Sequence, residues 1–332
     1  MKRIILLLAI SAFVIVNTIA DSQNLQKPIS FGVSFSPRYA LELGLNPKLT
    51  YQSILQELGT KSVRLSAYWD EIESEEDKFN FDKLDWYVDE AEKNQAKVLL
   101  AIGYKLPRWP ECRQPNWLEI RNSLFDSKLA QSEQVEIRNL RDQQLVMLEK
   151  VIRHYDQNPT ISAWQVENEP LLDFGLCPKP DREFLKKEVG FVKNLTKKPV
   201  IITDSGELRL WFTPAKLSDI LGITLYRTVE TPIFGSFHYP FPPWFYRLKA
   251  NLVRKKTIVV ELQTEPWSRE PLSQTPLEEQ IKRFPPKSLQ KNIEFARQTG
   301  FKEIYLWGAE WWYFMAANSH PEYLEYARGL FK

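Results

Sequence analysis

The chain has 332 residues, with 44 Lys plus Arg against 42 Asp plus Glu and a formal charge of +2. That length fits one large α/β domain or two modest ones, and the near-balance of charge argues against a nucleic-acid binder, which carries a basic surplus. With 43% hydrophobic and 26% charged residues, the chain can bury a large core and is not a disordered polypeptide. No Gly-rich phosphate loop occurs, and two cysteines with three scattered histidines give no zinc spacing, so no metal or organic cofactor is expected.

In chain order, Met1-Lys2-Arg3 precedes an uncharged run from Ile4 to Val16, and Thr18-Ile19-Ala20 stands before Asp21. A basic start, a short apolar segment and a small-residue site read as an export signal over residues 1–22. If uncleaved, the same segment is an N-terminal membrane anchor; a buried first helix is the bland alternative. The expected location is therefore outside the cytoplasm: periplasmic, extracellular or tethered to a membrane. Export permits a disulfide. Cys112 and Cys177 both lie in loop-like stretches, and closing the loop between them would contribute on the order of 4 kcal/mol by chain entropy. Two unrelated thiols are the other reading.

From Ile29 onward, short apolar runs alternate with longer amphipathic ones. The expected strands are Phe31–Phe35, Ser62–Ala67, Lys97–Ile102, Ile161–Val166, Val200–Thr203, Ile220–Leu225, Thr257–Val260 and Glu303–Trp307. The expected helices are Tyr51–Leu58, Phe81–Lys93, Val135–Tyr155, Asp181–Asn194, Pro242–Leu252 and Leu277–Gln298, the last closed by Gly300 as a C-cap. Runs apolar throughout suit parallel strands buried on both faces. Eight such βα units over residues 23–332, with no dividing linker, predict a single-domain (β/α)₈ TIM barrel. An open doubly wound sheet is the runner-up, weakened by the missing Gly-rich first turn.

A barrel puts its chemistry at the C-terminal ends of its strands. There the fourth run ends Trp164-Gln-Val-Glu-Asn-Glu-Pro170, the seventh Ile258-Val-Val-Glu-Leu-Gln-Thr-Glu-Pro-Trp267, and the eighth Tyr305-Leu-Trp-Gly-Ala-Glu-Trp-Trp-Tyr313. Carboxylates at opposite sides of a barrel, with aromatic residues nearby, are what glycosidic cleavage needs. One acid protonates the leaving oxygen, the other attacks the anomeric carbon, and sugar C–H faces stack on aromatic rings.

Asn168-Glu169-Pro170 and Glu261 resemble the large clan of retaining (β/α)₈ glycoside hydrolases that includes cellulases, β-galactosidases and β-xylosidases. Tyr68-Trp-Asp-Glu-Ile-Glu with Phe79-Asn-Phe-Asp-Lys-Leu-Asp is similar to the stretch after strand two in that clan, so the likeness runs over nearly all of the chain after the export segment. The resemblance implies a carbohydrate substrate, Glu169 as general acid/base and Glu261 as nucleophile. It also implies that Asn168 bonds the sugar 2-hydroxyl and that Arg64 orients the nucleophile and favours its charged form. Tyr226 donates to Glu261, Trp307 floors the sugar, and Trp69, Trp109 and Trp267 are expected as cleft walls. Glu265 is the rival for the nucleophile.

Other residues read more blandly. Glu167 is expected to face inward to a core cation, and Trp86 and Trp164 to be core. Adjacent Trp311 and Trp312 cannot face one way in an extended segment, so one is expected in the core and one in the cleft. The stretches Lys105–Phe125 and Arg227–Pro243 are expected as long loops that shape the cleft. Two rivals to hydrolysis stand: a transglycosylase using the same residues, and a carbohydrate-binding barrel without catalysis.

Overall fold

All eight expected strands form, each pairing in parallel with its neighbours until the last closes on the first. The computed structural model describes residues 28–118, 133–231 and 235–332; the expected export segment, residues 1–22, and the far part of the first cleft loop, residues 119–125, lie outside these. The strands are β1 (Ser30–Ser34), β2 (Ser62–Ser66), β3 (Lys97–Ile102), β4 (Ile161–Val166), β5 (Val200–Asp204), β6 (Ile220–Leu225), β9 (Thr257–Gln263) and β10 (Glu303–Trp307). A two-stranded antiparallel hairpin, β7 (Thr228–Thr231) with β8 (Gly235–His238), stands within the Arg227–Pro243 stretch that was expected as a loop. The fold is a TIM barrel in a single domain.

Burial on both faces explains the unbroken apolar runs. Alternate residues of several strands, among them Leu99, Ala163, Ile201, Ile258, Val260 and Tyr305, meet as one buried cluster that fills the barrel interior. Their outward neighbours, such as Val98, Leu100, Trp164, Ile202, Val259 and Leu306, pack beneath the helices.

One irregularity decides where the chemistry goes. Between β6 and β9 the register runs from Ile223↔Val259 to Thr224↔Glu261, and on the other side from Ile304↔Val259 to Leu306↔Leu262. Strand β9 therefore carries one extra residue, a β-bulge at Val260. Strict alternation from inward Ile258 and Val260 would send Glu261 out towards the helices; the bulge turns it into the barrel mouth.

Three expectations are corrected. The stretch Leu277–Gln298 is two helices, Leu277–Arg283 and Pro286–Thr299. Pro285 and Pro286 lack the amide hydrogens an unbroken helix needs, and each clashes with the preceding turn. Gly300 does close the second of these, in the left-handed conformation at φ 85°. Trp311 and Trp312 are both fully buried, because they lie on the helix Ala309–Ala317 and not in an extended segment. Their indoles diverge instead, Trp311 donating to Gln280 Oε1 at 2.7 Å and Trp312 to the Thr264 carbonyl at 2.9 Å. Trp69 is no cleft wall: it is 1% exposed, turned inward by the short helix Trp69–Ile72, and donates to Glu73 at 2.7 Å. Trp164 is fully buried and Trp86 packs against the core.

Candidate active site

The site is organised by one buried cation. Arg64, in the middle of β2 and 2% exposed, points up the barrel. Its Nη1 lies 2.7 Å from Glu261 Oε1, its Nη2 2.9 Å from Asn168 Oδ1, and its Nε 2.7 Å from Gln165 Oε1. The guanidinium thus ties the end of β4 to the end of β9. The other carboxyl oxygen of Glu261 accepts from the Tyr226 hydroxyl at 2.8 Å. Burial, then the neighbouring Glu261 charge, pushes the Tyr226 phenol well above its ordinary range, so it is held as a donor.

Directly after β4, Glu167 and Glu169 both adopt left-handed backbone, φ 60° and 42°. Non-glycine residues rarely accept that conformation, and its cost is borne where surrounding bonds over-determine it. The Glu169 amide donates to Thr203 Oγ1 at 2.7 Å, and the Thr224 hydroxyl donates to Glu169 Oε1 at 3.1 Å. Thr224 is the ladder partner of Glu261, so the two glutamates flank one side chain. Burial raises the Glu169 pKa well above the carboxylate range, and the charges of Glu261 and Glu111 raise it further.

Glu167, expected to meet a core cation, is instead the anchor of the next loop. It accepts the amides of Tyr104 at 2.8 Å and Lys105 at 2.6 Å, and its Oε1 accepts from Gln144, also at 2.6 Å. The adjacent Gly103, at φ 126°, has no room for a Cβ because Glu167 fills that space.

The loop so anchored, Lys105 to Cys112, carries two site residues that sequence reading missed. Glu111 accepts from Asn168 Nδ2 at 3.0 Å and lies 3.3 Å from Lys105 Nζ. Burial lifts its pKa to about 7, with Lys105 opposing and Glu261 reinforcing the shift. Arg108 lies between two aromatic faces, 3.6 Å from the Tyr39 centroid and 3.9 Å from that of Trp307, and pairs with Glu265 and Glu310. Although its burial works the other way, these two acids hold the guanidinium firmly protonated. Glu265, the rival nucleophile, is engaged by Arg108 and by the Tyr39 hydroxyl at 2.9 Å. The available signal for this loop was its place after β3, beside a cysteine.

Cys112 and Cys177 do form a disulfide, which staples this loop to the one after β4. Replacing both by serine is expected to lower stability by about 4 kcal/mol in the chain-entropy account, seen as a lower denaturation midpoint. A midpoint unchanged from the native chain under oxidising conditions would contradict that role.

Tyr226 begins an aromatic chain that climbs out of the barrel. Its ring meets Trp267 at 5.1 Å, Trp267 meets Phe174 at 6.1 Å, and Phe174 meets Trp109 at 5.9 Å. Trp267 is half-buried and Trp109 is 62% exposed. Of the sequence-expected site residues, Glu169, Glu261, Asn168, Arg64 and Tyr226 come together directly; Trp267 and Trp109 flank them, Trp307 lies beneath Arg108, and Trp69 is elsewhere.

The sequence model of glycoside hydrolase family 42, described as beta-galactosidase, matches residues 49–198. Among solved structures, xylanase 10B from Thermotoga petrophila RKU-1 is similar at 15% identity and a TM-score of 0.55, over 86% of this chain and 84% of that one. A beta-galactosidase from Bacillus circulans sp. alkalophilus gives 14% and 0.56 over 84% and 50%, and a family 5 mannosidase from Rhizomucor miehei 14% and 0.54 over 84% and 81%. At such identities the likeness is one of fold, and the chain spans 50–62% of the length of the beta-galactosidases it matches. With the family model over strands β2 to β4 and a closed barrel throughout, the chain is similar to the (β/α)₈ glycoside hydrolases in that stretch of sequence and in its fold.

Proposed function

We propose that the chain is a retaining β-glycosidase that cleaves an oligo- or polysaccharide by double displacement. The observation that carries this reading is the shared guanidinium of Arg64, which holds Glu261 and Asn168 while Glu169 stands next to them on Thr224. In the first step Glu261 attacks the anomeric carbon, aimed by Arg64 and Tyr226, and Glu169 gives its proton to the departing oxygen. The raised pKa of Glu169 suits that task, since the group must carry a proton before the bond breaks. In the second step Glu169, now ionised, takes a proton from water as the water displaces Glu261. Asn168, fixed between Arg64 and Glu111, is oriented for the sugar 2-hydroxyl.

Trp307 is the proposed floor of the cleaved sugar's subsite. Arg108 covers it in this conformation, and the gap they share with Tyr68 and Ser34 holds only about 10 Å³, room for one water. A sugar stacked on that same indole face would take the place of Arg108. Trp267 and Trp109 supply stacking surface outside the pocket.

The test is a screen of aryl β-glycosides and plant and bacterial polysaccharides, followed by NMR of the first sugar released from a substrate that is cut. Release of the β-anomer first is expected; first release of the α-anomer would overturn double displacement.

A further inference from the structure

The barrel has a second face, formed by the loops that lead into its strands, and that face has its own chemistry. Lys61 stands before β2, Lys97 opens β3, Lys197 and Lys198 precede β5, and Arg254, Lys255 and Lys256 precede β9. The whole chain carries only +2, so this run of seven cations is a local surplus, at the opposite end of the barrel from the glutamates of the mouth. Two acids of this face are ion-paired, Glu303 with Lys256 at 3.3 Å and Asp219 with Lys193 at 2.6 Å, while Asp156 lies near Lys198 and accepts from the neutral Thr196 hydroxyl. In contrast, Lys61, Lys97, Lys198 and Lys255 donate to main-chain carbonyls of Asn94, Pro159, Ile161 and Ser218. Helix C-termini gather at this end of a barrel, and cations there offset the helix dipoles. A carbonyl partner leaves the unit charge in place, however, so the face as a whole stays positive.

Two further observations say what such a face meets. A hollow of about 610 Å³ opens beside Ser30, rimmed by Arg254, Lys255 and Lys256. Ser30 is the first residue of β1, so the chain enters the barrel at this hollow, and the sequence upstream is Lys2-Arg3 followed by uncharged Ile4–Val16. At a membrane surface a basic patch meets headgroup phosphates, and an apolar segment elsewhere in the same sequence adds hydrocarbon burial.

We propose that this face rests on a bilayer rich in anionic phospholipid, with the glutamate-lined mouth directed away from it. The proposal stands apart from the glycosidase reading, and its test does not use activity. The full chain is floated with vesicles of phosphatidylcholine alone, or of phosphatidylcholine with phosphatidylglycerol, at low and at high salt. A preference of about tenfold or more for the anionic vesicles is expected, disappearing at high salt as charges are screened. Reversing Lys61→Glu, Lys197→Glu and Arg254→Glu together should abolish the preference, and the neutral Gln versions, which add no repulsion, should weaken it. Reversing Lys179, Lys187 and Lys291, which lie elsewhere on the surface, should leave it intact. Thermal melts establish that each variant is folded. Equal binding to both vesicle types overturns the proposal, as does an anionic preference that survives the triple reversal. Retention on beads of a sulfated polysaccharide without any vesicle preference would assign the face to a polymer, and also overturns it.

Discussion

Glu261→Ala is expected to lower kcat on the order of 10⁴-fold or more if Glu261 is the covalent nucleophile proposed above, since its removal then disables the whole catalytic unit. The same variant should regain turnover with azide, which fits the vacated space and attacks the sugar from that side, giving a glycosyl azide of inverted configuration. Trapping the native enzyme with a slow fluorinated glycoside should label Glu261. The physical basis is orientation: both oxygens of Glu261 are held, one by Arg64 at 2.7 Å and one by Tyr226 at 2.8 Å, on a side chain that the bulge aims into the mouth. Glu265 is instead held by Tyr39 and by Arg108, whose guanidinium lies over Trp307. A label on Glu265, or full activity in the Glu261 variant, would refute the assignment. Because the Ala variant leaves Arg64 buried without its carboxylate, its melting must be measured alongside, as an unpaired buried charge is itself destabilising.

Glu169→Gln is expected to cost about 10²- to 10⁴-fold on substrates with sugar leaving groups. Aryl glycosides with very good leaving groups, which need no proton to depart, should be hurt far less in their first step. The pH profile gives an independent check, and its sign follows from the direction of the shift. Burial, reinforced by Glu261 and Glu111, raises the Glu169 pKa, so the protonated, active form persists above the usual carboxylate range. Activity should fall as pH rises through that raised value, and the Gln variant should lack this alkaline limb. Glu111→Gln keeps an acceptor for Asn168 but deletes one of the repelling charges, so it should move the limb to lower pH. Azide should rescue Glu169→Ala with retained configuration, by attack on the glycosyl-enzyme. An unchanged alkaline limb in Glu169→Gln would mean that another group donates the proton.

These two outcomes also separate what was readable from the chain and what was not. The strands were legible because parallel strands buried on both faces must be apolar throughout; five of the six helices kept their identity for a similar reason, through the amphipathic period. The sixth divides in two because the amphipathic period continues through Pro285-Pro286, where the helical backbone cannot. Trp69 stands just past a strand end, where a cleft position is expected, but one turn of helix rotates it into the core. Arg108 and Glu111 went unseen because a loop's course, here set by Glu167 from behind and by the disulfide in front, leaves no period in the sequence.

The chain's own order of residues determined the barrel, and with it the ends at which Glu169, Glu261, Arg64 and Tyr226 would stand, since burial pattern and strand count suffice for that. Which way those side chains point was decided in three dimensions. Glu261 faces the mouth because β9 gains a residue against both neighbours, and Arg108 covers Trp307 where Glu265 and Glu310, distant in sequence, hold it. Side-chain direction along a strand reverses with every residue, so a single local insertion, paid for by tertiary packing and written in no periodic signal, settles the chemistry of the site.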